Sequence, residues 1–245
     1  MTTFPKRTVL SALSENIDLL LYESYLSACR RNFSLSVHLS ITCREECSKF
    51  LITFCEEYLP TEVFRRRFQH LHKYKVASAH WFILGGISVI YSIDRASGEF
   101  GTEARGDIRA LVDYLPAVVG WNNPNSAATA IMSVLESKDD AGRELEFKEK
   151  YSDTERDRVQ SIYVDYDEKL NIISSPSDMT FDRARKYLHE AKLCREIASF
   201  LMADIFDIHS FVRCLPRSER IKVQDDANRL ISAIRRPKGR VDSVS

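Results

Sequence analysis

The chain has 245 residues, and its 35 lysines and arginines balance 35 aspartates and glutamates to a formal net charge of zero. With 44% apolar and 29% charged residues, it has the composition of a globular protein. That excludes both a disordered chain and a uniformly basic one held to nucleic acid by bulk charge. Only 8 glycines and 7 prolines predict long helices with few turns, in a single helical domain over residues 1–245.

Taken in chain order, residues 9–31 predict a first helix, with Leu10, Leu13, Ile17, Leu20, Leu21 and Tyr25 near helical spacing. Residues 34–58 predict a second, with Ser34 as N-cap and Leu59-Pro60 as its stop. A third begins with Thr61 as N-cap and Glu62 in its first turn, and runs on through Val76–Ile93. Those last 18 residues carry no Asp, Glu, Lys or Arg, which reaches the threshold for a membrane span. His80, three serines and the Gly85-Gly86 pair weaken transfer into lipid, so a buried, close-packed helix is the expectation, with no membrane partner. Gly98, Gly101, Gly106, Pro116 and Gly120 mark residues 97–125 as loop with a short helix, and a further helix follows over 127–137. The core bundle is thus expected over about 9–137. Residues 138–160 form a charged connector, and 161–166 (SIYVDY) an extended segment. Asp178 or Thr180 caps a long helix to about Val212, Pro216 breaks it, a last helix covers 217–235, and a basic tail occupies 236–245.

Zero net charge hides segregation. Glu62–Lys75 holds five basic residues against one acidic, and Arg213–Arg240 nine against three, whereas Glu136–Glu168 holds twelve acidic against six basic. A local basic site for an anionic partner is therefore compatible with the neutral total. None of the six cysteines forms a CxxC pair, which predicts small buried thiols in a reducing compartment rather than a zinc site. The N-terminus lacks a sustained apolar run, so no secretory signal is expected and the expected location is the cytoplasm.

Two helices carry polar groups that interrupt apolar stripes. On the second, Leu39, Cys43, Cys47, Phe50, Phe54 and Tyr58 share one face, and His38, Thr42, Glu45, Glu46 and Lys49 lie along its flank, with Glu46 nearest the core side. Taken by itself, this helix is better accounted for by an ordinary Glu–Lys pair at helical spacing. On the third helix, His72 falls in the apolar stripe with Phe68, Val76, Ala79 and Ile83, and Lys75 lies beside it. The preceding turn reads RRRFQHLHKYK. An imidazole among cations is biased toward its neutral form, as a general base requires, while arginine and lysine hold a phosphodiester and oppose its developing charge. Metal-independent RNA cleavage needs that combination.

The runs CREECSKFL (Cys43–Leu51), FQHLHKYK (Phe68–Lys75) and RVQSIYVDYD (Arg158–Asp167) resemble the AbiV family of bacterial abortive-infection proteins. The family pattern is an EE-x-x-K helix, an H-x-x-K helix, and a downstream Arg followed by a YVD-like segment. Glu45, Glu46 and Lys49 match the first, His72 and Lys75 the second, and Arg158, Tyr163 and Asp165 the third. The resemblance implies an all-α, HEPN-like helical bundle with additional C-terminal helices, and a dimeric RNA-cleaving toxin of phage defence. It implies Arg158 and Asp165 as bracing groups. The HEPN signature R-x(4–6)-H is met by Arg65 with His70, and by Arg66 or Arg67 with His72. The resulting expectation is a metal-independent endoribonuclease without cofactor. His72, Lys75, Glu46, Lys49 and Glu45 act at the reaction centre, Arg65, Arg66, Arg67 and Lys73 hold phosphate, and Arg158, Tyr163, Asp165 and His70 support them. RNA is the substrate, a second copy the partner, and a phage-encoded protein the trigger. The alternative is a non-catalytic module in which these groups fix helix register and the basic surface docks RNA, a ribosomal protein or a phage protein.

Overall fold

In the computed structural model, which describes residues 4–114, 124–136, 153–202 and 207–235, the chain is all-α apart from one small hairpin. Its contacts group it into two compact units, 1–83 with 121–206, and 84–120 with 207–245. The first unit is organised around α2 (Phe33–Phe54), which packs against α1 (Phe4–Cys29), α4 (His70–Ala77), α6 (Pro124–Glu136) and α8 (Phe181–Met202).

Small residues set the α1–α2 spacing. Ser24 Oγ donates to the Ser36 carbonyl at 2.8 Å and lies 2.6 Å from Ser40 Oγ, so two buried serine faces meet where larger side chains would hold the helices apart. The turn between them is a Schellman closure: Asn32 N–H donates to the Ser27 carbonyl and Arg31 N–H to that of Ala28, with Arg31 at φ 60°. Asn32, rather than Ser34, caps α2, its side chain accepting from Leu35 N–H at 3.3 Å. Because neighbours cover α2 on several sides, both Glu45 and Glu46 are buried with Val37, Ile41, Cys47, Phe50 and Leu51.

The expected third helix is broken into three pieces. α3 (Thr61–Arg65) passes into a 3-10 turn (Arg66–Phe68), Gln69 is extended, α4 follows, and α5 (Ala79–Tyr114) starts after Ser78. Pro60, not Thr61, is the capping residue of α3. The first break is held by Arg67, which donates to the Phe64 carbonyl at 2.9 Å and stacks 3.9 and 4.4 Å from the Phe64 and Phe68 ring centroids. At the second, His80 Nδ1 donates to the Ala77 carbonyl at 3.0 Å. The segment His72–Ala96 is long and apolar enough to cross a membrane, and 61% of its apolar 18-residue window is buried inside the protein, as in a core helix.

α5 corrects a second expectation, since helix rather than loop covers 97–114. No proline occurs between residues 79 and 115, and glycines in a helix interior cost only about 1 kcal/mol each, too little to end it. Residues 115–123, 138–152 and 236–245, which include most of the expected connector and the basic tail, lie outside the described residues. What is described of the connector, 153–160, is helical and forms α7. The extended segment pairs only at its end, β1 (Asp165–Tyr166) lying antiparallel to β2 (Ile172–Ser174). Thr180 caps α8, accepting from Arg183 N–H at 3.3 Å. Of the six thiols, Cys43, Cys47, Cys55 and Cys194 are buried, whereas Cys29 and Cys214 are exposed.

In the second unit the remainder of α5 packs with α9 (Ile208–Cys214) and α10 (Arg217–Arg235). Ser88 Oγ donates to Asp226 at 3.1 Å. His209 Nε2 bonds Asp94 at 2.7 Å, and its ring meets Tyr91 edge-on at 5.3 Å.

Candidate functional site

The α2–α4 contact brings together a set of ionisable groups in which Glu45 is the hub. Its carboxylate is 4% exposed. It accepts from Lys73 Nζ and lies 2.9 and 2.8 Å from His70 Nδ1. Burial works to raise the Glu45 pKa, but the hydrogen bonds and charges of Lys73 and His70 outweigh it and hold the carboxyl below its ordinary range. The carboxylate is therefore ionised at neutral pH. An ionised acceptor assigns the proton on the His70 ring to Nδ1 and leaves Nε2 unprotonated in the neutral ring. The His70 side chain is 51% exposed, so Nε2 can reach a ligand from solvent while Nδ1 stays anchored.

A second layer abuts this dyad. Tyr74, one turn after His70 on α4, donates to Glu155 at 2.7 Å. Arg158 grips the same Glu155 through two hydrogen bonds, Nε to Oε2 at 2.9 Å and a terminal nitrogen to Oε1 at 2.7 Å. Burial, then the Glu155 carboxylate, push the Tyr74 phenol upward, so it remains a donor. The Glu155 hydrogen bonds raise Arg158 and lower Glu155, keeping both charged. His38 on α2 hydrogen-bonds the Arg158 backbone, has its Nδ1 buried without a partner, and is held below its ordinary pKa chiefly by burial.

The H-x-x-K pattern fits the chain twice, as His70–Lys73 and as His72–Lys75. It is the first pair, not the second, that meets Glu45. Two residues turn a helix by about 200°, so His72 and Lys75 point elsewhere. His72 is lowered by burial and then by the cations of Arg66 and Lys75, with a backbone hydrogen bond at Val63 opposing them, and its Nε2 is buried without a partner. That ties α4 to α3. Lys75 is exposed.

Glu46 and Lys49 pair with each other at 2.5 Å. Arg65 lies 3.8 Å from Glu62 in the exposed α3 turn, Arg66 is exposed, and Arg67 is held between two phenylalanines. The third sequence element is split. Arg158, in the last turn of α7, joins the site, while Tyr163, before the hairpin, and Asp165, in its first strand, are exposed, Asp165 accepting from its neighbour Tyr166 N–H at 3.0 Å. Tyr74 and Glu155 join the site without a motif that points to them, and His38, on the polar flank of α2, joins it through the Arg158 backbone. The signals for the first two were the i, i+4 spacing of His70 and Tyr74 and the i, i+3 spacing of Glu155 and Arg158.

An Arg-x(5)-His spacing also occurs on α8, at Arg183 and His189. Arg183 lies 3.4 Å from Asp157, whose other oxygen accepts from Tyr187 at 2.9 Å, and His189 lines an α1–α8 groove with Asp18 and Tyr22. Among the described residues, no three His, Cys, Asp or Glu side chains are grouped as a metal ion requires.

The model of the AbiV family (HEPN_AbiV) matches residues 7–196, a span that contains the whole Glu45–His70–Arg158 cluster. No curated protein and no solved structure matches the chain. With most of its length covered by that one model, the chain belongs to the AbiV family of HEPN-type abortive-infection proteins.

Proposed function

We propose that the protein is an abortive-infection endoribonuclease whose reaction centre is His70, oriented by Glu45, rather than His72. The observation that carries this reading is the anchoring of one ring nitrogen on a buried, ionised carboxylate in a side chain that stays half exposed to solvent. A histidine so held presents a fixed basic nitrogen, the arrangement that general-base catalysis requires. Nε2 takes the proton of a ribose 2′-hydroxyl, the 2′-oxygen forms a bond to the adjacent phosphorus, and the bond from phosphorus to the 5′-oxygen breaks. The proton carried by the imidazolium then passes to that leaving oxygen, giving a 2′,3′-cyclic phosphate and a 5′-hydroxyl. Lys73 keeps Glu45 ionised, and Arg158 supplies a permanent cation at the same cluster. The cleavage is independent of added metal. In the cell the enzyme works in the cytoplasm as a homodimer, held off until a phage-encoded protein triggers it, and halts translation by destroying RNA.

The test is purified protein with tRNA, rRNA and mRNA in EDTA, beside growth arrest on induced expression. His70→Ala and Glu45→Gln are expected to lose cleavage and toxicity together, and His72→Ala to keep both. Loss of cleavage in His189→Ala with full activity in His70→Ala would move the centre to α8 and overturn the assignment. Full toxicity in His70→Ala without any RNA cleavage by wild type would instead favour the non-catalytic reading, for which the buried Glu45–Lys73 pair serves only to fix the α2–α4 register.

A further inference from the structure

A groove of about 560 Å³ runs between α1, α2 and the broken α3–α4 connection. Its walls carry Lys6, Lys49, Arg67 and Glu56; Lys6 is paired with Glu57 at 3.5 Å and Lys49 with Glu46, whereas Arg67 has no carboxylate partner among the described residues. Two aromatic rings, Phe64 and Phe68, line it as well. Phe68 is 64% exposed, which is unusual for a phenylalanine beside a core helix. The ring is not loose. Arg67 stacks 4.4 Å from its centroid and 3.9 Å from that of Phe64, and Lys49 Nζ lies 6.0 Å from the Phe68 centroid. The turn thus spends an arginine on holding an aromatic face open to solvent next to positive charge.

We infer that this groove is a subsite for single-stranded RNA, taking an unpaired base on Phe68 and the neighbouring phosphates on Lys49 and Arg67. Interleaved aromatic rings and cations are how proteins hold single strands, because each base has a face to stack and each phosphate a charge to meet. An apolar peptide would leave the Arg67 guanidinium without a counter-charge, and an inorganic anion would leave the rings unused. A duplex keeps its bases stacked on one another and offers none to Phe68. Position agrees with this. Glu45, Lys49 and Thr53 follow at i, i+4 and i+8 along α2, so the groove begins about 6 Å along the helix from Glu45. A strand whose scissile bond lies at His70 therefore continues into it. Placing the bond there rests on the ribonuclease reading; the affinity of the groove for single-stranded RNA does not.

The experiment uses the full chain carrying His70→Ala, so that the probe stays intact, and fluorescence anisotropy with a labelled single-stranded RNA octamer. An eight-base-pair RNA duplex and inorganic tripolyphosphate serve as competitors. The single strand is expected to bind at least tenfold tighter than the duplex. Phe68→Ala is expected to weaken it at least fivefold, Phe68→Trp to preserve it, and Lys49→Ala to weaken it as well. The inference is overturned if Phe68→Ala leaves Kd within twofold, if duplex and single strand compete equally, or if tripolyphosphate displaces the octamer as well as unlabelled RNA does. A protein that shows the predicted binding pattern while wild type cleaves no RNA keeps the groove and loses the ribonuclease. Cleavage by wild type with an unchanged Kd for Phe68→Ala does the reverse.

Discussion

Replacing Lys73 by methionine isolates the energetics on which the site depends. Lys73 and Glu45 are both buried and bonded to each other. Removing one partner of such a pair strands the other charge in a poorly solvated place, at about 3–5 kcal/mol. Here His70 remains hydrogen-bonded to the same carboxylate at 2.8 Å, which returns about 1 kcal/mol. The expected cost is therefore about 2–4 kcal/mol, read as a fall in Tm of roughly 5–15 °C for a chain of this size. The assay is thermal denaturation at pH 7.5 for Tm, beside urea denaturation for the free energies, both followed by circular dichroism. Glu45→Gln combined with Lys73→Met removes both charges and should be less destabilised than the two single changes summed, with a coupling of about 1–3 kcal/mol. The pH dependence carries the same signature. Because the Glu45 pKa is lowered by folding, its contribution is complete above the ordinary carboxylate value of 4.5 and is lost as pH falls through the depressed one. Lys73→Met removes the main cause of that depression and so should flatten the loss below pH 4.5. A single change costing under 1 kcal/mol, or a double change equal to the sum, refutes the reasoning.

Three further outcomes follow from other parts of the molecule. Burial lowers the His80 pKa from 6.5 to about 4, so the unfolded chain binds the extra proton between those values and stability falls as pH drops across them. At about 1.4 kcal/mol per pH unit the loss approaches 3 kcal/mol, and His80→Leu should abolish that segment of the pH–stability curve. A curve that His80→Leu leaves unchanged contradicts the assignment. Arg31 occupies the left-handed position of the α1 closure, so Arg31→Gly should raise stability by up to about 1 kcal/mol, and a lower Tm would count against it. Tyr187→Phe removes the 2.9 Å hydrogen bond to buried Asp157 and should cost about 1–3 kcal/mol in denaturant titration; no measurable cost would show that water replaces the phenol.

Much of the helical framework was legible without coordinates. The apolar spacing of residues 9–31, the stop at Leu59-Pro60 and the proline at 216 fall close to real element ends because they act through neighbouring residues. The failures share a cause. Ser34 reads as a cap until Asn32 outcompetes it for Leu35 N–H. Residues 66–69 read as helix until Arg67 finds the Phe64 carbonyl and two rings. Glycines 98, 101 and 106 read as loop, although without a proline the helical ladder simply absorbs them.

The candidate site divides along the same line. Sequence by itself determined that a Glu-Glu-x-x-Lys helix and a histidine–lysine helix both exist, and that the chain's neutral charge is segregated. It points to His72–Lys75 for the histidine–lysine helix, although His70–Lys73, two residues earlier, satisfies the same pattern. Tertiary packing decided. α4 docks on α2 so that His70, Lys73 and Tyr74 face Glu45 and Glu155, and the broken helix before it sets the rotation at which they arrive. A buried carboxylate admits only the side chains on the face turned toward it, and which face that is depends on where the whole helix packs.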